Sequence, residues 1–122
     1  MTQPLNWHFA ALWESIADFK PSAEALIDGD QRLTWREFDD RAARLASCYQ
    51  QLGLLPGSKV AIYSFNCAEY LIAQYAAFKS GICPVNVNYR YLQNELSYLI
   101  TNSDAELVVY QSSFADRLVT IQ

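Results

Sequence analysis

From Lys59 onward, short β-branched runs and helical stripes alternate three times along the chain, with only brief joins between them. Lys59-Val60-Ala61-Ile62-Tyr63, Ile82 to Val87 and Glu106-Leu107-Val108-Val109-Tyr110 have the length of strands. The first is suited to a strand covered on both faces, as in a parallel sheet. Cys67 to Ser80 places Leu71, Ile72, Tyr75 and Phe78 at helical spacing and closes at Gly81. Leu92 to Thr101 aligns Leu92, Leu96, Leu99 and Ile100, and Ser113 onward starts another helix. Such alternation implies parallel strands joined by right-handed crossovers, with helices on the sheet faces. The fold class is therefore α/β: a parallel-rich sheet with flanking helices.

Upstream, Phe9, Leu12, Trp13, Ile16 and Phe19 form an amphipathic stripe that ends at Lys20-Pro21, because proline cannot continue a helix. Ala25-Leu26-Ile27, Asp28-Gly29-Asp30 and Arg32-Leu33-Thr34 read as a small β-hairpin turning at the Asp-Gly pair. Thr34-Trp35-Arg36-Glu37 is a capping box, in which threonine and glutamate each satisfy a free amide at a helix start. Trp35, Phe38, Ala42, Leu45, Tyr49 and Leu52 follow by steps of three and four, giving a long helix with Gly53 as its left-handed cap.

With 122 residues, folding buries roughly two thirds of the unfolded surface, enough for one core and not for two domains. An apolar fraction of 52% and a net charge of −4 describe a globular chain. The acidic balance and scattered basic residues argue against nucleic acid as a partner. Cys48, Cys67 and Cys83 are odd in number and lack C-x-x-C spacing, so neither a disulfide framework nor a zinc site is expected. The first residues show no signal-peptide pattern. The most apolar stretch, Ala68 to Phe78, is far short of the ~20 residues that cross a bilayer. A cytoplasmic protein without a transmembrane segment is the expectation.

Candidate chemistry is sparse. A phosphate site needs clustered glycines at a helix N-terminus, yet Gly29, Gly53, Gly57 and Gly81 stand alone at turns and helix ends. His8, the single histidine, is remote in sequence from any nucleophile and is read as a surface or packing residue. Cys67 opens a helix whose dipole would lower a thiol pKa, though a small buried cysteine is the plainer reading. Asp39-Asp40 lies opposite an apolar helix face and is read as solvated.

Several segments together resemble one family. Leu33-Thr34-Trp35-Arg36-Glu37-Phe38 looks like the L-T-Y-x-E-L signature near the start of adenylate-forming enzymes, with tryptophan and phenylalanine replacing tyrosine and leucine. Pro56-Gly57-Ser58-Lys59-Val60-Ala61-Ile62 resembles the turn and strand after that family's first long helix. Asn66-Cys67-Ala68-Glu69-Tyr70 matches its N-x-x-E-[YF] helix start. Residues 22 to 119 are covered in order without insertion. After Gly81, Pro84-Val85-Asn86-Val87-Asn88-Tyr89-Arg90 has the N-x-R form of acyl- and aryl-CoA ligases, whereas peptide-synthetase adenylation domains resemble G-x-x-Y-V-P-[LI]-D-P-x-Y-P.

The resemblance implies that residues 1–122 are a single incomplete α/β unit, the N-terminal portion of the large domain of an AMP-forming fatty-acyl-CoA synthetase. The parent would use ATP, Mg and coenzyme A on a fatty or related acyl acid. Its phosphate loop, adenine and ribose contacts and catalytic lysine have no counterpart among these residues. The chain alone is therefore expected to be inactive, to bind no cofactor or metal, and to carry no catalytic residue. Arg117 is the candidate for a coenzyme-A phosphate contact, because some acyl-CoA synthetases place one shortly after the strand matching Leu107 to Tyr110; a solvated helix arginine is the plain alternative. Expected partners are the remainder of the ligase chain or a second copy. A standalone interaction module and a small-molecule binding domain are the competing readings.

Overall fold

The computed structural model of the protein describes residues 5–65 and 67–119, with side chains described from Ala10 to Leu118 apart from residue 66. Asn66 and the side chains of His8 and Phe9 lie outside that range, and with them the readings made for those residues. The elements are α1 (Leu5–Phe19), β1 (Glu24–Asp28), β2 (Gln31–Thr34), α2 (Trp35–Gln51), β3 (Lys59–Tyr63), α3 (Ala68–Ser80), β4 (Cys83–Val87), α4 (Gln93–Ser103), β5 (Leu107–Tyr110), a 3-10 turn (Ser112–Phe114) and α5 (Ala115–Val119).

β4, β3 and β5 form a parallel sheet in that order, while β1 and β2 pair antiparallel as a separate hairpin. As the central strand, β3 is covered on both faces, with Val60, Ala61, Ile62 and Tyr63 at most 1% exposed. On one face Val60 joins Phe38, Tyr49, Ile72, Tyr75 and Ala76 from α2 and α3. On the other, Ala61 and Tyr63 join Leu96 of α4 and Phe114.

The local signals act as read. Thr34 Oγ1 accepts from the Glu37 N–H at 3.2 Å, and Glu37 Oε1 accepts from the Thr34 N–H at 2.9 Å. The second bond, the larger cause, holds the Glu37 carboxyl below its ordinary pKa. At the other end of α2, the Gly53 N–H donates to Gln50 O and the Leu54 N–H to Tyr49 O. Gly53 sits at φ 93 and Leu54 is buried, which is a Schellman stop one residue past the cap at Leu52. α3 ends the same way: Gly81 at φ 70 donates to Phe78 O, and Ile82 to Ala77 O. In the hairpin, Asp28 pairs with Gln31, so the two loop residues are Gly29 and Asp30, one position later than the Asp-Gly pair.

Other expectations need correction. The stripe assigned to α1 is rotated by about one position, leaving Leu12 and Phe19 at 56% and 84% exposed. Ala10 and Ala17 are buried instead and flank Trp13, whose ring meets Phe38 (5.7 Å), Tyr75 (5.1 Å) and Phe78 (5.6 Å). Two small residues one turn either side of an aromatic let the backbone close on a surface already crowded with rings. Leu52 and Leu92 are exposed because they occupy cap positions, beyond the faces that α2 and α4 bury. Asp39 is not simply solvated: it accepts from Tyr75 Oη at 2.6 Å and pairs with Lys79 Nζ at 2.8 Å, while Glu14 of α1 meets the same ammonium at 3.4 Å. Asp40, the other half of the pair, forms an exposed bridge to Arg44.

Burial pushes the phenols of Tyr49 and Tyr75 above their ordinary pKa, and at Tyr75 the hydrogen bond to Asp39 adds to it. A pKa raised in the folded state stabilises below the unfolded value and loses that contribution as pH rises past it, here from about pH 10. Stability is expected to fall above that pH by up to ~1.4 kcal/mol per pH unit for each tyrosine. Urea midpoints across the alkaline range for Tyr49→Phe/Tyr75→Phe should show a shallower decline; an unchanged slope would assign the ionisation to other groups.

Candidate functional rim

In an open α/β sheet, ligands bind beyond the carboxyl ends of the strands where successive helices depart to opposite faces. That condition holds between β3 and β5. α3 follows β3 onto the face built by Val60 and Tyr75, whereas the 3-10 turn and α5 follow β5 onto the face where Phe114 and Leu118 pack. A crevice of about 550 Å³ opens there, lined by Ser64, Phe65, Tyr70, Tyr110, Gln111 and neighbouring residues. Gln111 Oε1 accepts from Ser64 Oγ at 3.3 Å and from the Phe65 N–H at 3.2 Å, tying the exits of β3 and β5 together. Burial raises the Tyr70 phenol above its ordinary value.

The polar loop after β4 completes the rim. Asn88 holds it as a turn, accepting from the Arg90 N–H through Oδ1 (2.9 Å) and from the Tyr91 N–H through its carbonyl (3.0 Å). Beneath lies Tyr63, fully buried, which donates to the Tyr91 carbonyl and accepts from Arg117 Nη1 at 3.0 Å. The same nitrogen donates to the Tyr89 carbonyl at 2.8 Å, and the guanidinium lies 4.4 Å from the Phe114 ring centroid. Phe65 packs on both Tyr89 (4.9 Å) and Phe114 (5.0 Å).

Arg117 is thus half-buried and ties the loop to β3 through Tyr63 and Tyr89. Arg90 is exposed, with its guanidinium 5.5 Å from the Tyr89 ring, beside a smaller cleft of about 230 Å³ shared with Ser64, Asn86 and Asn88. Cys67 caps α3 without a side-chain bond, and its thiol lies 3.5 Å from Ser64 Oγ. The first amide of α3 is held instead by Asp28 of the hairpin, through Oδ2 at 3.0 Å from Ala68 N.

The partners of Ser64 Oγ are Gln111, the Phe65 carbonyl and Cys67, none of which is a base able to activate a nucleophile. Among the described residues no three His, Cys, Asp or Glu side chains converge, and no helix is long and apolar enough to cross a membrane. The rim can orient a ligand through aromatic faces, amides and a cation. Ser64, Phe65 and Gln111 were not singled out in the sequence. Their position directly after the strand runs is the signal that could have found them.

Residues 13–121 match the AMP-binding enzyme family. The chain is 36% identical over 114 residues to a 3-oxocholest-4-en-26-oate--CoA ligase of Rhodococcus rhodochrous, a match covering 93% of this chain and 20% of that protein. It is 38% identical to a medium/long-chain-fatty-acid--CoA/3-oxocholest-4-en-26-oate--CoA ligase of Mycobacterium marinum, over 93% of this chain and 21% of that one. The chain thus spans about a fifth of the length of these curated relatives. Its fold superposes on the N-terminal domain of FACL13 from Mycobacterium tuberculosis with a TM-score of 0.89 at 25% identity, over 99% of this chain and 30% of that domain. With the match running through nearly all of the sheet and the rim, the chain belongs to the AMP-binding enzyme family.

Proposed function

We propose that these residues form the first part of the large domain of an AMP-forming acyl-CoA ligase acting on a fatty or related acyl acid. In that enzyme the carboxylate attacks the α-phosphorus of ATP, with Mg, and expels pyrophosphate; the coenzyme-A thiol then displaces AMP from the acyl-adenylate. The observation that carries the reading is the family match through residues 13–121, together with two relatives whose names specify acyl or steroid acids joined to CoA.

Within that reading, this chain contributes the sheet and the rim, and the remainder of the ligase supplies the nucleotide site. Gly53 and Gly81 are both spent on helix stops, which supports the expectation that no phosphate cradle forms here. Arg117, which also donates to the Tyr63 hydroxyl and the Tyr89 carbonyl, is the residue proposed to contact a coenzyme-A phosphate. A cytoplasmic location fits three free cysteines.

Pyrophosphate–ATP exchange with acetate, octanoate or palmitate is expected to stay at blank for the 122-residue chain. Substituted for the matching segment of the Rhodococcus rhodochrous ligase, the same residues are expected to support acyl-CoA formation. Exchange by the chain alone would overturn its inactivity, and a folded chimera without ligase activity would overturn the ligase reading.

A further inference from the structure

Tyr63 ends β3 and is fully buried, yet its hydroxyl reaches the underside of the rim. A phenol has one proton to donate and lone pairs to accept with. Here the proton goes to the Tyr91 carbonyl, and the oxygen accepts from Arg117 Nη1 at 3.0 Å. The same Nη1 donates to the Tyr89 carbonyl at 2.8 Å. One hydroxyl therefore joins both the loop after β4 and the guanidinium of α5 to the central strand of the sheet. The hydroxyl is itself held in place. The Tyr63 ring lies 4.8 Å from that of Phe114, and the Tyr63 carbonyl accepts from the Gln111 N–H at 3.1 Å. Phenylalanine would meet the demands of packing at this position. What the hydroxyl adds is placement.

We propose that Tyr63 is a positioning residue: its hydroxyl sets the orientation of Arg117 and the position of the Asn88–Tyr91 turn, and through them the affinity for coenzyme A. The coenzyme-A part rests on the contact proposed for Arg117; the placement of the turn does not. A guanidinium is a planar fork whose donors match a phosphate only in a fixed orientation. Arg117 is held at Nη1 by two oxygens and along its face by the Phe114 ring, 4.4 Å away. Without the phenol oxygen, Nη1 would be held by the very loop it holds, and both would lose their tie to β3 through this hydroxyl. The Tyr91 carbonyl would lose its donor as well. A loosened turn and a guanidinium free to tilt weaken a ligand that needs both in place.

The 122-residue chain reports the placement without any ligand. Trypsin must open the Asn88–Tyr91 turn to cut after the exposed Arg90, whereas a cut after Arg44 requires α2 to unfold. Tyr63→Phe is expected to speed the cut after Arg90, relative to that after Arg44, by at least about fivefold. In the chimera with the Rhodococcus rhodochrous ligase, the same substitution is expected to raise KM for coenzyme A by at least about fivefold, with kcat and KM for the acyl acid within about twofold. Lost packing alone would not single out coenzyme A. An unchanged cleavage ratio overturns the placement, and an unchanged KM for coenzyme A in an active Tyr63→Phe chimera overturns its role in binding. A chimera inactive before substitution overturns the ligase reading and the coenzyme-A role with it, while the cleavage ratio still decides the placement. Should Tyr63→Phe not fold, Arg117→Gln takes its place on the 122-residue chain, since it removes the donor that Tyr63 and Tyr89 share. A faster relative cut after Arg90 is then expected, and an unchanged ratio overturns the proposal.

Discussion

Phe38→Ala is expected to lower the unfolding free energy by about 3–5 kcal/mol, the range for truncating a buried aromatic. Phe38 is 2% exposed and sits at the meeting point of three helices. Its ring lies 5.7 Å from Trp13 of α1, 5.8 Å from Trp35 in its own helix and 4.8 Å from Tyr75 of α3. The space left by alanine cannot readily be reclaimed: the neighbours are rigid rings, and each is held by other contacts. The loss therefore includes a cavity as well as lost burial. Urea unfolding measures it directly. A midpoint equal to that of the parent would mean that the α2 stripe faces solvent or a partner, contrary to the packing described above.

What was legible in the sequence was what short segments decide for themselves. The capping box at Thr34 and Glu37 joins residues three apart, and Gly53 and Gly81 stop helices through bonds to the preceding turn, so neighbours alone specify them. The β-branched runs gave the parallel sheet because strands covered on both faces must be apolar at nearly every position. Helix rotation was harder, since apolar spacing marks candidate faces without ranking them. In α1, Ala10 and Ala17 outrank Leu12 and Phe19 because Trp13 needs close backbone approach. In α3, Ala73, Ala76 and Ala77 are buried along with Ile72, Tyr75 and Phe78, a contribution a search for large apolar residues passes over.

The rim was the least legible part, because its bonds join residues far apart in the chain. Arg117 reaches Tyr63 and Tyr89, Gln111 reaches Ser64, and Asp28 reaches Ala68, all across the fold. No local pattern announces such pairs. Pro84 is the exception: proline inside a strand run marks an edge, and the strand order places β4 there.

Tyr75→Ala is expected to cost about 3–5 kcal/mol, with Tyr75→Phe losing about 1–2 kcal/mol for the hydroxyl alone. The ring is fully buried, meets Trp13 edge-on at 5.1 Å, and lies 4.7 Å below the Lys79 ammonium, while its hydroxyl donates to Asp39. The phenylalanine variant keeps the ring contacts and leaves Asp39 paired with Lys79, so it loses the smaller share. The alanine variant removes the surface on which α1 docks, and Trp13 emission should shift to the red in the folded state. Because Tyr75 and Phe38 touch, their truncations should not add. Once Phe38 is gone, the Tyr75 ring has already lost a wall, and the double variant Phe38→Ala/Tyr75→Ala should be more stable than the sum of the single losses implies, by about 0.5–3 kcal/mol. Additivity within ~0.5 kcal/mol would show that the two rings stabilise the three-helix layer independently.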